Sequence, residues 1–449
     1  LDIDMSNTTK TKTAPPHGLP SQDKGGLLAR FLKATELDTR LLGMLGALAL
    51  IWIGFHVYGA VFNGFGAFLT PRNLWNLSVQ TSSIGIMACG MVLVIVTRHI
   101  DLSVGSVLGF CAVVMGVTQV YILPPLMGVG HPMIWIIAVV VGMIAGTFVG
   151  AIHGWLIAYR SIPAFIVTLG GLLVWRGVAF LITSGETISP VDQTFKLLGG
   201  GPYGAVGGVG SWIVGALGCV AVVVMVLNSR KQRNRFGFVM RPIWADYFIG
   251  GISCAAVIGS VFLVNSYPWP KGIVKRYVAE TGIEVPAEGL FISHGFAIPV
   301  LILVAVVICM TILMQRTRFG RYVYAIGGNP EAATLSGINT KFMTVKIFAL
   351  MGFLTGLSAV VASARLGSAT NALGTLDELY VIAAAVIGGT SLAGGIGTIY
   401  GAVLGALVMQ SLQTGMVLIG FDAAIQQIVV GAVLVFAVYL DNLYRKNAK

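Results

Sequence analysis

Residues 78–122 read SVQTSSIGIMACGMVLVIVTRHIDLSVGSVLGFCAVVMGVTQVYI, two apolar runs on either side of the polar knot TRHID. Crossing ~30 Å of hydrocarbon as a helix takes ~20 apolar residues, and each run meets that length. Moving the same window outward marks spans at 41–62, 78–97, 102–122, 133–158 and 164–183. Others follow at 209–227, 243–264, 296–314, 342–364, 379–394, 400–419 and 424–440. The expected fold is all-α: a polytopic transmembrane helical bundle of about twelve helices. The 379–394 piece is short and rich in glycine.

The rest of the chain has the same character. Of its 449 residues, 56% are hydrophobic and only 10% charged, with mean hydropathy +0.88. Soluble domains carry roughly 25% charged residues, so this chain cannot cover a water-facing surface. The 59 glycines let membrane helices approach closely. The net charge of +11 sits in short blocks between apolar runs, which reads as basic cytoplasmic loops and not as a nucleic-acid face. Cys89, Cys111, Cys219, Cys254 and Cys309 lie in apolar stretches without CxxC spacing, as small buried residues and not disulfide or metal ligands. Residues 1–40 are polar and hold Pro15, Pro16, Gly18, Gly25 and Gly26. They show no cleavable signal and read as a disordered cytoplasmic tail, while 441–449 form a second cytoplasmic end.

Alternate loops are basic. Arg98 and His99, Arg160, the 228–242 loop with Arg230, Lys231, Arg233, Arg235 and Arg241, and Arg316, Arg318 and Arg321 fall on one side. The other side holds Asp192, Glu280, Glu284, Glu288, Asp377 and Glu378, with Lys271, Lys275 and Arg276 as its one basic cluster. The positive-inside bias then places both termini in the cytoplasm. Residues 86–109 and 382–405 share an apolar run, a polar Gly/Ser turn and a VLG triplet, the pattern of an internal parallel repeat.

The segment 315–341 is the largest polar stretch between spans. Within it Asn329 is a good N-cap, Pro330 suits the first helical position, and Glu331 faces the positive helix end. A short helix from Pro330 to about Leu335, ended by Ser336 and Gly337, follows from these residues. It is either a well-capped connector or a knob that enters a partner.

Polar residues inside spans mark the candidate path. Asp101 in IDLSVGS either caps the following helix or, with Ser103, belongs to a re-entrant turn beside a water cavity. The 388–397 turn, GGTSLAGGIG, offers Thr390 and Ser391 as gate hydroxyls. Arg176 stands in an apolar span, where an unpaired charge costs several kcal/mol. It is either tied to helix-end carbonyls or contacts solute, with Glu186 and Asp192 as candidate partners. Gln80, Thr81, Ser82, Ser83, Thr168, Gln410, Ser411, Gln413 and Thr414 serve equally as path or as interhelical glue.

TRFGRYVYAIGGNPEAATLSGI, with IDLSVGSVLG, FIVTLGGLLVWRG and VIGGTSLAGGIGTIYGAVLGAL, resembles the branched permease family of bacterial ABC sugar importers over roughly residues 40–443. Two extra spans around the basic SRKQRNRFGFVMR loop are similar to the xylose-type and multiple-monosaccharide branch. The resemblance implies a monosaccharide permease of the bacterial inner membrane, working as a homodimer. It also implies an ABC ATPase with two fused nucleotide domains, which holds ATP and Mg, and a periplasmic sugar-binding protein. Arg318, Phe319, Gly320, Asn329, Pro330, Glu331, Ala332, Ser336 and Gly337 would then couple to the ATPase. Gln80, Ser83, Asp101, Ser103, Thr168, Arg176, Thr390 and Ser391 would line the path or its gates. The chain has no GxxxxGK[ST], so it is no enzyme by that route and needs no cofactor of its own.

Two other classes lack their residues. An ion-coupled secondary transporter usually places acids at mid-span, and here Asp101, Asp377 and Glu378 fall at span edges. A membrane enzyme needs a catalytic constellation, and the six histidines have no HExxH-type spacing.

Overall fold

The computed structural model describes residues 31, 34–36, 38–62, 64–283 and 289–447. The expected tail over 1–30, and Glu284 and Glu288, lie outside the described residues. Among the described residues there is no strand, only isolated bridges such as Ile188 with Ala369.

In chain order the helices are α1 (Thr39–Phe62), α2 (Pro71–Val96) and α3 (Val104–Val117), which passes through a π-helical turn, Thr118–Ile122, into α4 (Leu123–Met127). Then come α5 (Ile134–Tyr159), α6 (Ala164–Thr183), α7 (Gln193–Leu197), α8 (Gly207–Arg235), α9 (Ile243–Asn265) and α10 (Lys271–Thr281). The rest are α11 (Ile298–Arg316), α12 (Arg318–Gly328), α13 (Pro330–Leu335), α14 (Thr340–Leu366), α15 (Asp377–Ile387), α16 (Ile399–Leu418) and α17 (Ala423–Asn447). Among the described residues, 10 helices are long and apolar enough to cross a membrane.

Two expected spans differ. The 379–394 stretch is helical only in α15, 11 residues long, or about 16 Å at 1.5 Å per residue. Gly389, Gly394 and Gly395 take positive φ and end the helix in the 388–397 turn. The last span lies in α17, where only Ala423–Tyr439 is apolar.

Burial orders the bundle. Helix α2 is enclosed along most of its length, α3, α14 and α16 largely so, while α1, α8 and α9 expose their apolar side chains. Helix α14 packs on α5, α2 and α3, and α16 packs on α15, α2 and α1. Lipid provides little drive for helices to associate, so close backbone contact must do so. At the α5–α14 crossing a β-carbon on Gly146 would overlap the Gly352 carbonyl, and one on Gly352 would overlap that of Gly146.

Two stretches of non-helical backbone run inside the bundle. Residues 97–103 climb from the end of α2 to the start of α3, with Ser103 beside Gly171 of α6. Residues 369–376 descend along α3 in the opposite sense. Ala369 lies at Gly116, the Asn371 and Leu373 carbonyls at Gly109, and Gly374 at Gly105. Non-helical backbone at this depth survives only where protein or a water cavity supplies its hydrogen bonds. Helices α15 and α16 pack directly, whereas α2 and α3 do not pack closely on each other, so the two segments compared as a repeat differ in geometry.

Residues just before α1 are engaged, not free. Glu36 pairs with Arg233 at 2.6 Å and Arg241 at 2.7 Å, and Phe31 stacks on Trp244 at 5.8 Å. Arg230 pairs with Asp246 across the α8–α9 connection.

Candidate functional site

A cavity of about 520 Å³ opens between the first turns of α2, the last turns of α14 and α16, and the start of α15. Its polar lining comprises Asn73, Asn76, Gln80, Ser83, Arg365, Asp377, Gln410, Gln413 and Thr414. Small-molecule sites span about 300–1,000 Å³. On α2, Asn73, Asn76, Gln80 and Ser83 recur at helical spacing, so an otherwise apolar helix turns one polar face inward. On α16, Gln410, Gln413 and Thr414 do the same. Gln410 Nε2 donates to Gln80 Oε1 at 2.9 Å and to Gln413 Oε1 at 3.2 Å, joining the two faces.

The descending 369–376 segment forms one cavity wall through Leu373 and Gly374. Arg176 holds it: Nη1 donates to the carbonyls of Asn371 and, at 2.8 Å, Leu373. Backbone left unpaired by the broken helix is thus satisfied by a cation from α6. The expected partners Glu186 and Asp192 are not used. Asp192 instead accepts from Thr194 N at 2.9 Å and Phe195 N at 3.0 Å, capping α7. Leu376 ends the segment at φ +68°, a left-handed conformation that costs a side-chain-bearing residue about 1–2 kcal/mol. Such strain persists only where the surroundings over-determine it.

At the other end of α2 the contacts change. Arg98 Nε donates to the Gly327 carbonyl at 2.9 Å and Nη2 to that of Gly328 at 2.6 Å. Gly395 N donates to the Val96 carbonyl at 2.9 Å, and Tyr324 Oη to that of Gly397 at 2.7 Å. Arg98 itself has φ +65°. Helix α12 is therefore bolted to the end of α2 and to the 388–397 turn. Helix α13 follows at once: Asn329 Oδ1 accepts from Ala332 N at 3.0 Å, and Ser336 and Gly337 close it, Gly337 at φ +83°. Glu331, Ala332 and Ser336 are exposed, and Leu335 is 90% exposed, an apolar tip with nothing to cover it among the described residues. Of the α12 residues, Arg318 is exposed, Phe319 half-buried and Gly320 buried against Met314.

The candidate path residues do not converge on one place. Gln80 and Ser83 line the cavity, and Ser83 also bonds Ser358 at 2.7 Å. Asp101 and Ser103 sit in a buried network. Asp101 Oδ1 accepts from Ser103 N at 2.9 Å and Ser103 Oγ at 2.6 Å, and Trp175 Nε1 donates to His153 Nε2 at 3.0 Å. Asp101 is thus not the cap of α3. Ser103 occupies that position without a side-chain capping bond, its hydroxyl donating instead to Asp101. Thr168 donates to the Ala164 carbonyl at 2.9 Å, away from the cavity. Thr390 and Ser391 are buried in the turn beside α12, their hydroxyls unpartnered among the described residues. Asn73, Asn76, Arg365 and Asp377 were missed, although the spacing of Asn73 and Asn76 from Gln80 was a readable signal.

The family described as branched-chain amino acid transport system / permease component matches residues 73–244 and 211–438. The xylose transport system permease protein XylH of Escherichia coli (strain K12) is 35% identical over 446 residues, 99% of this chain and 100% of that one. XylH of Haemophilus influenzae is 36% identical over 416 residues, 93% and 99% of the two chains. The ribose import permease protein RbsC of Escherichia coli (strain K12) is 32% identical over 383 residues, 84% and 87% of the two chains. No solved structure matches. Matched by that family through most of its length and by such permeases from end to end, the chain belongs to the permease components of bacterial ABC transport systems, a multi-pass membrane subunit and not itself an enzyme.

Proposed function

We propose that the chain carries a neutral monosaccharide, a xylose-like pentose or a close relative, across the bacterial inner membrane in an ATP-driven importer. The cavity lining is the observation that carries this reading: five amides, Asn73, Asn76, Gln80, Gln410 and Gln413, and two hydroxyls, Ser83 and Thr414, face one space. A branched-chain amino acid offers only its ammonium and carboxylate, which Asp377 and Arg365 of the same lining would take, and its apolar side chain leaves the amides unpaired, which is costly. A sugar, with a hydroxyl on nearly every carbon, satisfies them. The end-to-end likeness to a xylose permease supports the same class.

Helix α13 is the receiving element. ATP binding on a partner ATPase with two fused nucleotide domains closes that partner on Glu331, Ala332 and Leu335. The motion passes through α12 to Arg98 and Gly397, and so to α2 and α16, which wall the cavity. Only a ligand that distinguishes two states can drive such a change, and ATP on the partner is that ligand. Two copies of this chain share the path, a periplasmic sugar-binding protein delivers solute, and α13, the 228–242 loop and both termini face the cytoplasm, in keeping with the basic loops.

Reconstitution into liposomes tests the reading. With ATPase, binding protein and ATP, labelled D-xylose, D-ribose or L-arabinose should accumulate, and without the ATPase none should. Accumulation by this chain alone, driven by an ion gradient, would overturn it.

A further inference from the structure

We propose that the cavity is itself a sugar-binding site, with Asp377 and Arg365 as its charged contacts and Gln80, Gln410 and Gln413 as its neutral ones. The inference rests on the monosaccharide reading above and names the side chains that would sense the solute.

Asp377 and Glu378 are consecutive, yet they face opposite ways. The Glu378 side chain is buried against Gly105 of α3, whereas Asp377 lines the cavity across from the amides. Left-handed Leu376 immediately precedes them and sets that direction. Among the described residues, neither the Asp377 carboxylate nor the Arg365 guanidinium has a hydrogen bond or an ion pair. Asp377 lies in the field of Arg176, yet ionisable groups without a hydrogen bond inside a membrane bundle are stable where water or a polar ligand reaches them. One of these groups only accepts hydrogen bonds and the other only donates them.

The amides divide their groups in a complementary way. The bonds from Gln410 Nε2, and one from Thr414 Oγ1 to Gln80 Oε1 at 3.4 Å, occupy the acceptors of Gln80 and Gln413 and the donor of Gln410. Among the described residues the Gln80 and Gln413 amino groups and the Gln410 carbonyl remain free for a ligand. The lining therefore presents both donors and acceptors to one space. Sugar hydroxyls both donate and accept, so a ring with adjacent hydroxyls fits this set.

A cysteine at Thr414 tests the site directly. In the purified transporter without binding protein, Thr414→Cys should react with a water-soluble maleimide. Millimolar D-xylose, D-ribose or L-arabinose should slow that reaction at least threefold, and L-leucine should not. An unchanged rate with every sugar at saturating concentration overturns the site. Protection by leucine alone overturns the monosaccharide reading instead, while leaving a ligand site in the cavity. In proteoliposomes with ATPase and binding protein, Asp377→Asn and Arg365→Gln should each cut sugar moved per ATP at least tenfold. Copurification of both variants with the ATPase should match the parent, which shows an assembled complex. Full sugar transport by both variants would also overturn the proposal.

Discussion

Arg176 on α6 and Leu373 in the segment between α14 and α15 are joined by a hydrogen bond of 2.8 Å from guanidinium Nη1 to the backbone carbonyl. The same nitrogen reaches the Asn371 carbonyl. One cation thus serves two backbone oxygens of a stretch of turns that lies outside any helix.

Arg176→Leu strands both oxygens. An unsatisfied buried carbonyl costs about 1–3 kcal/mol, so the melting temperature in detergent should fall by several degrees and sugar uptake with it. Arg176→Lys, which keeps a donor, should retain part of both. An Arg176→Leu protein with parental melting and uptake would remove this role.

Gly105→Ala should be costly, because the added carbon overlaps both Glu378 Oε2 and the Gly374 carbonyl. Overpacking of this kind costs about 1–3 kcal/mol. Gly54→Ala is the control, since nothing lies within 4 Å of the added carbon. Comparing their thermal melts checks the descent of 369–376 along α3, and equal stability would contradict it.

Glu331→Ala and Leu335→Asp should lower uptake severalfold and weaken copurification with the ATPase, while the amount of protein in the membrane stays the same. Both side chains are exposed, so folding has little stake in them. Normal uptake in both would show that α13 is a mere connector.

Arg98→Ala is expected to separate attachment from transport. It removes the bonds to Gly327 and Gly328 without touching α13. ATPase copurification should persist while sugar moved per ATP drops, and tight coupling in the variant would argue against the route through α2.

The Glu36 carboxyl is held at about 2, against an ordinary 4.5, by hydrogen bonds from Arg233 first and Arg241 second. A lowered folded value means the tether is fully present above the ordinary value and is lost as pH falls through the lowered one. Spin labels on Ala34 and Met240 should keep their separation at neutral pH and spread apart as pH falls from 4.5 toward about 2. With Glu36→Gln they should be spread already at neutral pH, and an unchanged distance there would show that other contacts hold the segment.

Much of the bundle was readable because span length is dictated by bilayer thickness, a constraint that acts on composition alone. Helix α13 was readable for a different reason, since Asn329, Pro330 and Gly337 each have a specific backbone preference. The descending 369–376 segment was not readable. Its place inside the bundle depends on Gly105, Gly109 and Arg176, which are distant in sequence. For the same reason Asp377 looked like a membrane-edge acid, when the broken helix carries it into the cavity. Asn73 and Asn76 escaped because a hydropathy window starts where polarity ends, although α2 begins earlier, at Thr70 and Pro71.

Helix α2 has 26 residues, about 39 Å of rod, with Asn73 at one tip and the bonds of Arg98 just beyond the other. Close-packed interiors yield little to compression, and this rod is hemmed in by neighbours on nearly every side. On the proposed coupling, a push at the Arg98 tip would emerge with little bending as a shift of the distant asparagines. The stroke of the machine would be fixed by how far its neighbours let that single shaft slide or tip.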